Sequence, residues 1–220
     1  MDRAAEALIH ERLISARPGD GFVGEEGGSS TSTSGVTWIV DPIDGTVNFV
    51  YGIPQYSVSI AATVDDRVVA GVVVNVETRE VFAATLGGGA TCDDRPLSVR
   101  SVVPLSQRLV ITGFSYLTAV RVLQAAAVAL LLSEVRDIRR LGSSALDLCA
   151  IGAGRADAYV EEGLHPWDMA AGGLVATEAG ARLETRAGAG GEVCVICAPA
   201  DGFDEFADLV TKCGFLEGAR

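Results

Sequence analysis

Basic side chains are scarce in this sequence: 17 Lys and Arg stand against 29 Asp and Glu over 220 residues, for a formal net charge of −12. So acidic a surface argues against non-specific binding to nucleic acid or to an anionic membrane, both of which need positive charge. Histidine is scarcer still. His10 and His165 are the only two, too few for a His-rich metal cage or for histidine-based phosphoryl transfer. Five scattered cysteines give no disulfide framework. Cys194 and Cys197 have the C-x-x-C spacing, but they lie in the apolar run 192–198, and no second Cys/His pair is placed to complete four zinc ligands. A buried strand is the expectation there. No apolar run reaches the roughly 20 residues of a membrane span. The greasiest stretch, 122–133, is closed by Arg121 and Glu134 and reads as a buried helix. Asp2 and Glu6 stand where a signal peptide would be basic and then apolar. Together these absences point to a soluble cytoplasmic protein with reduced thiols.

What is present suits a packed domain. Hydrophobic residues make up 49% and charged residues 21%, which excludes wholesale disorder. A chain of this length can bury roughly 70–75% of its unfolded surface without a disulfide or structural metal. Apolar spacing at Ala5, Leu8, Ile9 and Leu13 predicts an amphipathic first helix. A short strand at Phe22-Val23 stops at Gly24-Glu25-Glu26, and 27–35 is a Gly/Ser/Thr loop without periodicity. The strand 37–40 is expected to end at Asp41, because Pro42 cannot continue a ladder. Strands follow at 56–64, 67–75 and 80–84, with Asp65-Asp66 at a hairpin turn. From about 101 the signals alternate: strands at 108–112, 137–140, 156–161 and 193–198, helices at 117–135, 144–152, 167–178 and 203–212. The expectation is an α/β protein of two subdomains, an α+β part over 1–100 with most of the candidate metal ligands and an α/β part over 101–220 that completes the site.

The most informative segment is Trp38-Ile-Val-Asp41-Pro42-Ile43-Asp44-Gly45-Thr46. An apolar strand delivers Asp41 to its end, a sharp turn follows, and Asp44-Gly45-Thr46 opens a helix. Two carboxylates around such a turn can converge on a hard divalent cation such as Mg²⁺, and free N–H groups at Gly45 and Thr46 suit a phosphate oxygen. The bland alternative is an Asx turn and a helix cap. Glu25 at the end of its own strand and Asp168 in the first turn of a helix add two carboxylates at element termini. Four such groups could hold a pair of Mg²⁺ ions for attack of water on phosphorus, and the cations would reverse the local field for an anionic substrate. A P-loop nucleotide site is absent, and the three-residue spacing from Asp41 to Asp44 does not fit a phospho-aspartate phosphatase.

Gly24-Glu25-Glu26, Asp41-Pro42-Ile43-Asp44-Gly45-Thr46 and Trp167-Asp168-Met-Ala-Ala-Gly172, in that order and spacing, resemble the three signature motifs of the inositol monophosphatase family. The likeness is strongest to actinobacterial members, through 41–54 and 140–156. It implies a layered αβαβα fold, usually homodimeric, and a Mg²⁺-dependent, lithium-sensitive phosphomonoesterase that releases inositol and phosphate by direct attack of water, without a phosphoenzyme. Carried over by position, Glu25, Asp41 and the Ile43 carbonyl would hold one Mg²⁺, with Asp41 bridging to a second shared with Asp44 and Asp168. Thr46, paired with Asp2, would orient the water beside Glu25, and the N–H groups of Gly45 and Thr46 would hold the phosphate. Substrate hydroxyls would meet Asp44, Asp168, the Gly142-Ser143-Ser144 turn and Glu161. Glu26 is expected to support the site, His165 to be structural and Trp167 to be core.

Rival substrates with the same chemistry are fructose 1,6-bisphosphate, a 3′-phosphonucleotide and histidinol phosphate. A bisphosphate should demand Lys or Arg near the pocket, and 161–168 contains none. A catalytically impaired metal-binding or regulatory protein is the rival from another class. Family members usually carry some tens of residues before the position of Asp2, so the chain is expected to be less stable and less active than one extended upstream.

Overall fold

A computed structural model describes residues 1–218. Two sheets follow from the two kinds of sequence pattern. The first half supplies β1 (Gly21–Gly24), β2 (Ser29–Ser30), β3 (Val36–Asp44), β4 (Ser57–Val64), β5 (Arg67–Asn75), β6 (Val81–Thr85), β7 (Gly89–Cys92) and β8 (Arg95–Pro96). They lie in the order β2-β1-β3-β4-β5-β6-β7-β8, antiparallel except for β1 beside β3. Asp65 and Asp66 both have positive φ, 50° and 59°, the backbone that a two-residue hairpin requires. The second half supplies β9 (Leu109–Thr112), β10 (Asp137–Arg139), β11 (Ala158–Glu162), β12 (Ala181–Ala187) and β13 (Val193–Pro199), ordered β10-β9-β11-β13-β12. Here β10, β9 and β11 run parallel, as αβ alternation demands.

Helices α4 (Ser144–Gly152) and α5 (Pro166–Glu178) are sandwiched between the sheets. Ala145, Cys149, Ala171 and Val175 pack against Ala61, Val73 and Phe82 of the first sheet. Leu148, Ile151 and Ala176 pack against Ile111, Tyr159 and Val195 of the second. The approach is close because β5 offers no side chain at Gly71: a Cβ there would stand 2.9 Å from the Ala171 Cα. On the far face of the second sheet, α3 (Thr118–Leu131) and α6 (Phe203–Lys212) bury Ala127, Leu131, Phe203, Phe206 and Val210 against Val110, Val160 and Ile196. Helix α1 (Asp2–Ala16) lies beside β3 on the first sheet. The layers therefore read α, β, α, β, α, and a short α2 (Thr46–Tyr51) follows β3.

Several expectations are corrected. Strand β3 does not end at Asp41 but runs through Pro42 to Asp44. Its ladder with β4 slips between the pairs Asp41–Ser59 and Asp44–Ser57, so the missing proline N–H falls in a bulge, where no ladder bond is lost. The 27–35 loop contains β2, paired with β1. Helix α3 ends at Leu131 and buries one stripe, Val120, Gln124, Ala127 and Leu131, leaving Val122, Leu130 and Leu132 exposed, so the greasy run is a surface helix. Strand β12 is an additional element. Helix α1 forms, but the residue it buries is Glu6, while Leu8 stays exposed. Cys194 and Cys197 are buried in β13 with their thiols free, as expected. Among the described residues no helix is long and apolar enough to cross a membrane.

Candidate active site

The ends of β1 and β3, the starts of α4 and α5, and the C-terminal ends of β9, β10 and β11 open onto one cavity of about 340 Å³. Such a place, outside the carboxyl ends of parallel strands, is where α/β sheets bind ligands. Glu25, Asp41, Asp44, Glu161 and Asp168 all line it, drawn together from three elements and one turn.

Asp41, Asp44 and Asp168 each present a carboxylate oxygen within 4.8 Å of the others. Asp41 sits on the β3 bulge, buried, and its Oδ1 accepts the Ile43 N–H at 3.0 Å. The Asx turn is thus real, and it leaves Asp41 among the residues that line the cavity. Burial, then the charges of Asp44 and Glu25, push the Asp41 carboxyl up to about 10. Asp44 lies at the N-terminus of α4, where it accepts the Ala145 N–H at 2.8 Å, the Ser144 N–H at 3.3 Å and the Ser143 hydroxyl. Burial raises it to about 6, against the opposing pull of Ser143. The Asp168 Oδ2 accepts the His165 N–H at 2.6 Å in a capping box, and burial raises this carboxyl to about 6. Glu25, at the exposed rim, is raised chiefly by desolvation, and the charges of Glu26, Asp44 and Asp2 raise it further. Glu161 accepts the Tyr159 hydroxyl at 2.8 Å and is pushed by burial to about 7.

Among the described residues no Lys or Arg pairs with any of these five. Clustered carboxylates without a counter-cation are costly in a buried place. An all-oxygen donor set of this kind suits a hard divalent cation such as Mg²⁺ better than zinc or copper, which favour His and Cys ligands.

The remaining site candidates divide. Gly45 caps α2 with φ 94°, and a Cβ there would stand 3.0 Å from the Gly142 carbonyl oxygen, so glycine is required. Gly45, Thr46, the Ile43 residue, Gly142 and Ser144 line the cavity, whereas Ser143 is buried behind it with its hydroxyl on Asp44. The Thr46 hydroxyl donates to the Ile43 carbonyl at 3.0 Å and not to Asp2. Asp2 lies outside the lining, although its charge is felt at Glu25. Glu26 pairs with Arg3 at 3.2 Å. Trp167 is corrected from core to cavity wall, stacked on His165 with ring centroids 4.9 Å apart.

Sequence reasoning missed Arg140, Phe114–Leu117 and Asn48. Arg140 follows β10 and is the one Arg or Lys among the lining residues. It lies too far along the chain from 161–168 to be seen there. Asn48 joins the two halves by donating to the Gln55 and Leu141 carbonyls, both at 2.7 Å, and its place in the Asp41–Phe49 segment was the only signal. Cys149 and Arg155 have the C-x₅-R spacing of cysteine phosphatases. However, Cys149 is buried on α4 with its thiol pushed up by burial, and Arg155 pairs with Glu80, so they form no phosphate loop.

The sequence model of the inositol monophosphatase family matches residues 1–209. The chain is 49% identical over 211 residues to the inositol-1-monophosphatase SuhB of Mycobacterium tuberculosis, covering 90% of this chain and 73% of that one. It is 41% identical over 182 residues to a protein of Pasteurella multocida named Nus factor SuhB, covering 82% of this chain and 68% of that one. The solved structure of Mycobacterium tuberculosis SuhB superposes with a TM-score of 0.89 at 45% identity, over 98% of this chain and 85% of that one. Sequence, fold and an acidic cluster suited to metal agree: the chain belongs to the inositol monophosphatase family of metal-dependent phosphatases.

Proposed function

We propose that the protein is a Mg²⁺-dependent phosphomonoesterase that hydrolyses inositol monophosphate to inositol and phosphate. The observation that carries this reading is the convergence of Asp41, Asp44 and Asp168 within 4.8 Å. Asp41, Asp44, Asp168, Glu25 and the Ile43 carbonyl would hold the cation, which when bound polarises phosphate oxygens and acidifies water. Gly45 and Thr46 offer N–H groups at the start of α2 for the phosphate. The Thr46 hydroxyl, having donated to Ile43, keeps lone pairs free to accept from and orient a water. We assign Asp2 to the same water, approaching through Thr46, and Glu25 to the acceptor side of the reaction. Gly142, Ser144, Glu161 and Asp168 face the volume left for a polyol, and Ser143 acts by aiming Asp44. Lithium inhibition, a homodimer and a cytoplasmic location belong to the same proposal.

Arg140 weakens the sequence argument against a bisphosphate, since it supplies the missing positive charge at the cavity wall. Fructose 1,6-bisphosphate is therefore the rival substrate, and relative kcat/KM ranks the two. The name of the Pasteurella relative motivates a second role as a Nus factor, for which Asp41→Asn should lose turnover yet keep its protein partner.

The test is phosphate release from inositol 1-phosphate against Mg²⁺ concentration. Turnover that requires Mg²⁺, falls with Li⁺ and disappears in Asp41→Asn supports the reading. A Mg²⁺-independent rate, or full activity in that variant, overturns it.

A further inference from the structure

Helix α1 buries one residue, and it is an acid. Glu6 is 6% exposed, and no Lys or Arg pairs with it among the described residues. Its two carboxylate oxygens accept the N–H groups of Glu26 at 2.8 Å and Gly28 at 3.0 Å. The turn 24–28 is folded around this group. A Cβ at Gly24 would stand 2.1 Å from the Glu6 Oε2 and one at Gly28 2.7 Å from its Oε1, so side chains at both places would collide with it. Two further bonds close the turn: the Gly24 N–H donates to the Gly28 carbonyl at 2.8 Å, and the Glu25 N–H donates to the Val40 carbonyl at 3.2 Å. Val40 directly precedes Asp41. The backbone of Glu25 is thus fixed on one side by the strand that carries Asp41 and on the other by the Glu6 carboxylate.

Packing alone gives no reason for an acid here. Desolvating a carboxylate is unfavourable until its hydrogen bonds offset it, and an apolar residue would fill the same place without that cost. What a carboxylate adds is two acceptors aimed at adjacent amides, which dictate the shape of the turn. We infer that Glu6 is a positioning residue for the metal site: it holds the turn 24–28 so that the Glu25 carboxylate meets Asp41. This rests on the proposed cation site, and it extends that site to a side chain that lines no part of the cavity.

The test uses Mn²⁺, which takes the same oxygen ligands as Mg²⁺, with free ion counted by electron paramagnetic resonance. Glu6→Gln keeps the size but leaves one acceptor oxygen for two amides. Its Kd for Mn²⁺ should rise about 10–100-fold, the usual effect of removing a group that orients a ligand, and its deficit in turnover should narrow as Mg²⁺ is raised. Gly28→Ala, whose methyl pushes on the Glu6 Oε1 while keeping the acid, should weaken Mn²⁺ in the same direction and serves if Glu6→Gln does not fold. A lower melting temperature with unchanged Kd in both folded variants would make Glu6 merely structural and overturn the inference. Failure of the unmutated chain to bind Mn²⁺ would overturn the cation site itself and this inference with it. Binding by the unmutated chain with no change in the variants overturns this inference alone.

Discussion

Helices α6 and α1 both carry apolar residues at helical spacing, yet they do opposite work. Helix α6 turns Phe203, Phe206, Ala207, Leu209 and Val210 into the core against the second sheet. Helix α1 leaves Leu8 51% exposed and buries Glu6, bonded to the turn that carries Glu25. Periodicity reports that a helix forms and which face is apolar. It does not report what that face meets. Helix α6 is held by full burial of its apolar face, whereas α1, with Ala5, Ile9 and Leu13 only half-buried, adds polar contacts to the turn beside the cavity.

The largest blow to the packed end is Phe206→Ala. The ring is fully buried, so its loss should cost about 3–5 kcal/mol in denaturant unfolding. The Mn²⁺ affinity of the folded protein should not change, because no residue of α6 lines the cavity. A matching loss of affinity would show that the two ends are coupled.

The polar end should respond to pH instead. Asp44 and Asp168 are raised to about 6 from 3.8, chiefly by burial. A raised carboxyl binds its proton more tightly in the folded state. Its contribution is complete below the unfolded value and is lost as pH rises through the folded one. The metal-free protein should therefore lose on the order of 2–3 kcal/mol between pH 4 and 7 from each of these groups, and Asp41, raised to about 10, extends the loss upward. A divalent cation needs the ionised forms, so the rise in melting temperature given by Mg²⁺ should grow from pH 5 to pH 8. An increment that is flat with pH would remove the carboxylates from the metal site.

Asn48→Ala comes next. It strips the donor from two carbonyls, Gln55 and Leu141, in a buried place, at about 1–3 kcal/mol. Because Gly142 follows Leu141 and Gly45 lies against it, kcat/KM should fall further than stability alone explains.

These contrasts mirror what the sequence could disclose. The bounds of β5, α4 and α6 follow from local periodicity, and those elements carry packing or short-range caps. An acid at a helix start is common, as Asp147, Asp204 and Glu205 show; Asp41, Asp44, Glu25 and Asp168 were legible because three motifs carry them in one order and spacing. Arg140 was not, since parallel pairing of β10 with β9 is what brings its end to the cavity. The family resemblance put Ser143 among the substrate groups, and it becomes a support for Asp44 only when α4 docks on the β3 bulge. Strand β12 escaped notice because Arg182, Glu184 and Arg186 give it a polar surface, paired on one side by β13. The role of Glu6 was hidden by the apolar stripe beside it.

The smallest effect sharpens the comparison most. Leu8 stands two residues beyond Glu6, about 200° around the helix, so it points away from the turn 24–28. Leu8→Ser removes an apolar side chain from the stripe that the sequence marks as core, yet that side chain is half in solvent. Its effect on unfolding should stay within about 0.5 kcal/mol, with Mn²⁺ affinity unchanged. A loss approaching that of Phe206→Ala would mean that the outer face of α1 is covered in solution. The contrast between a helix that builds the core and one that holds the site would then fail, and α1 would count as both.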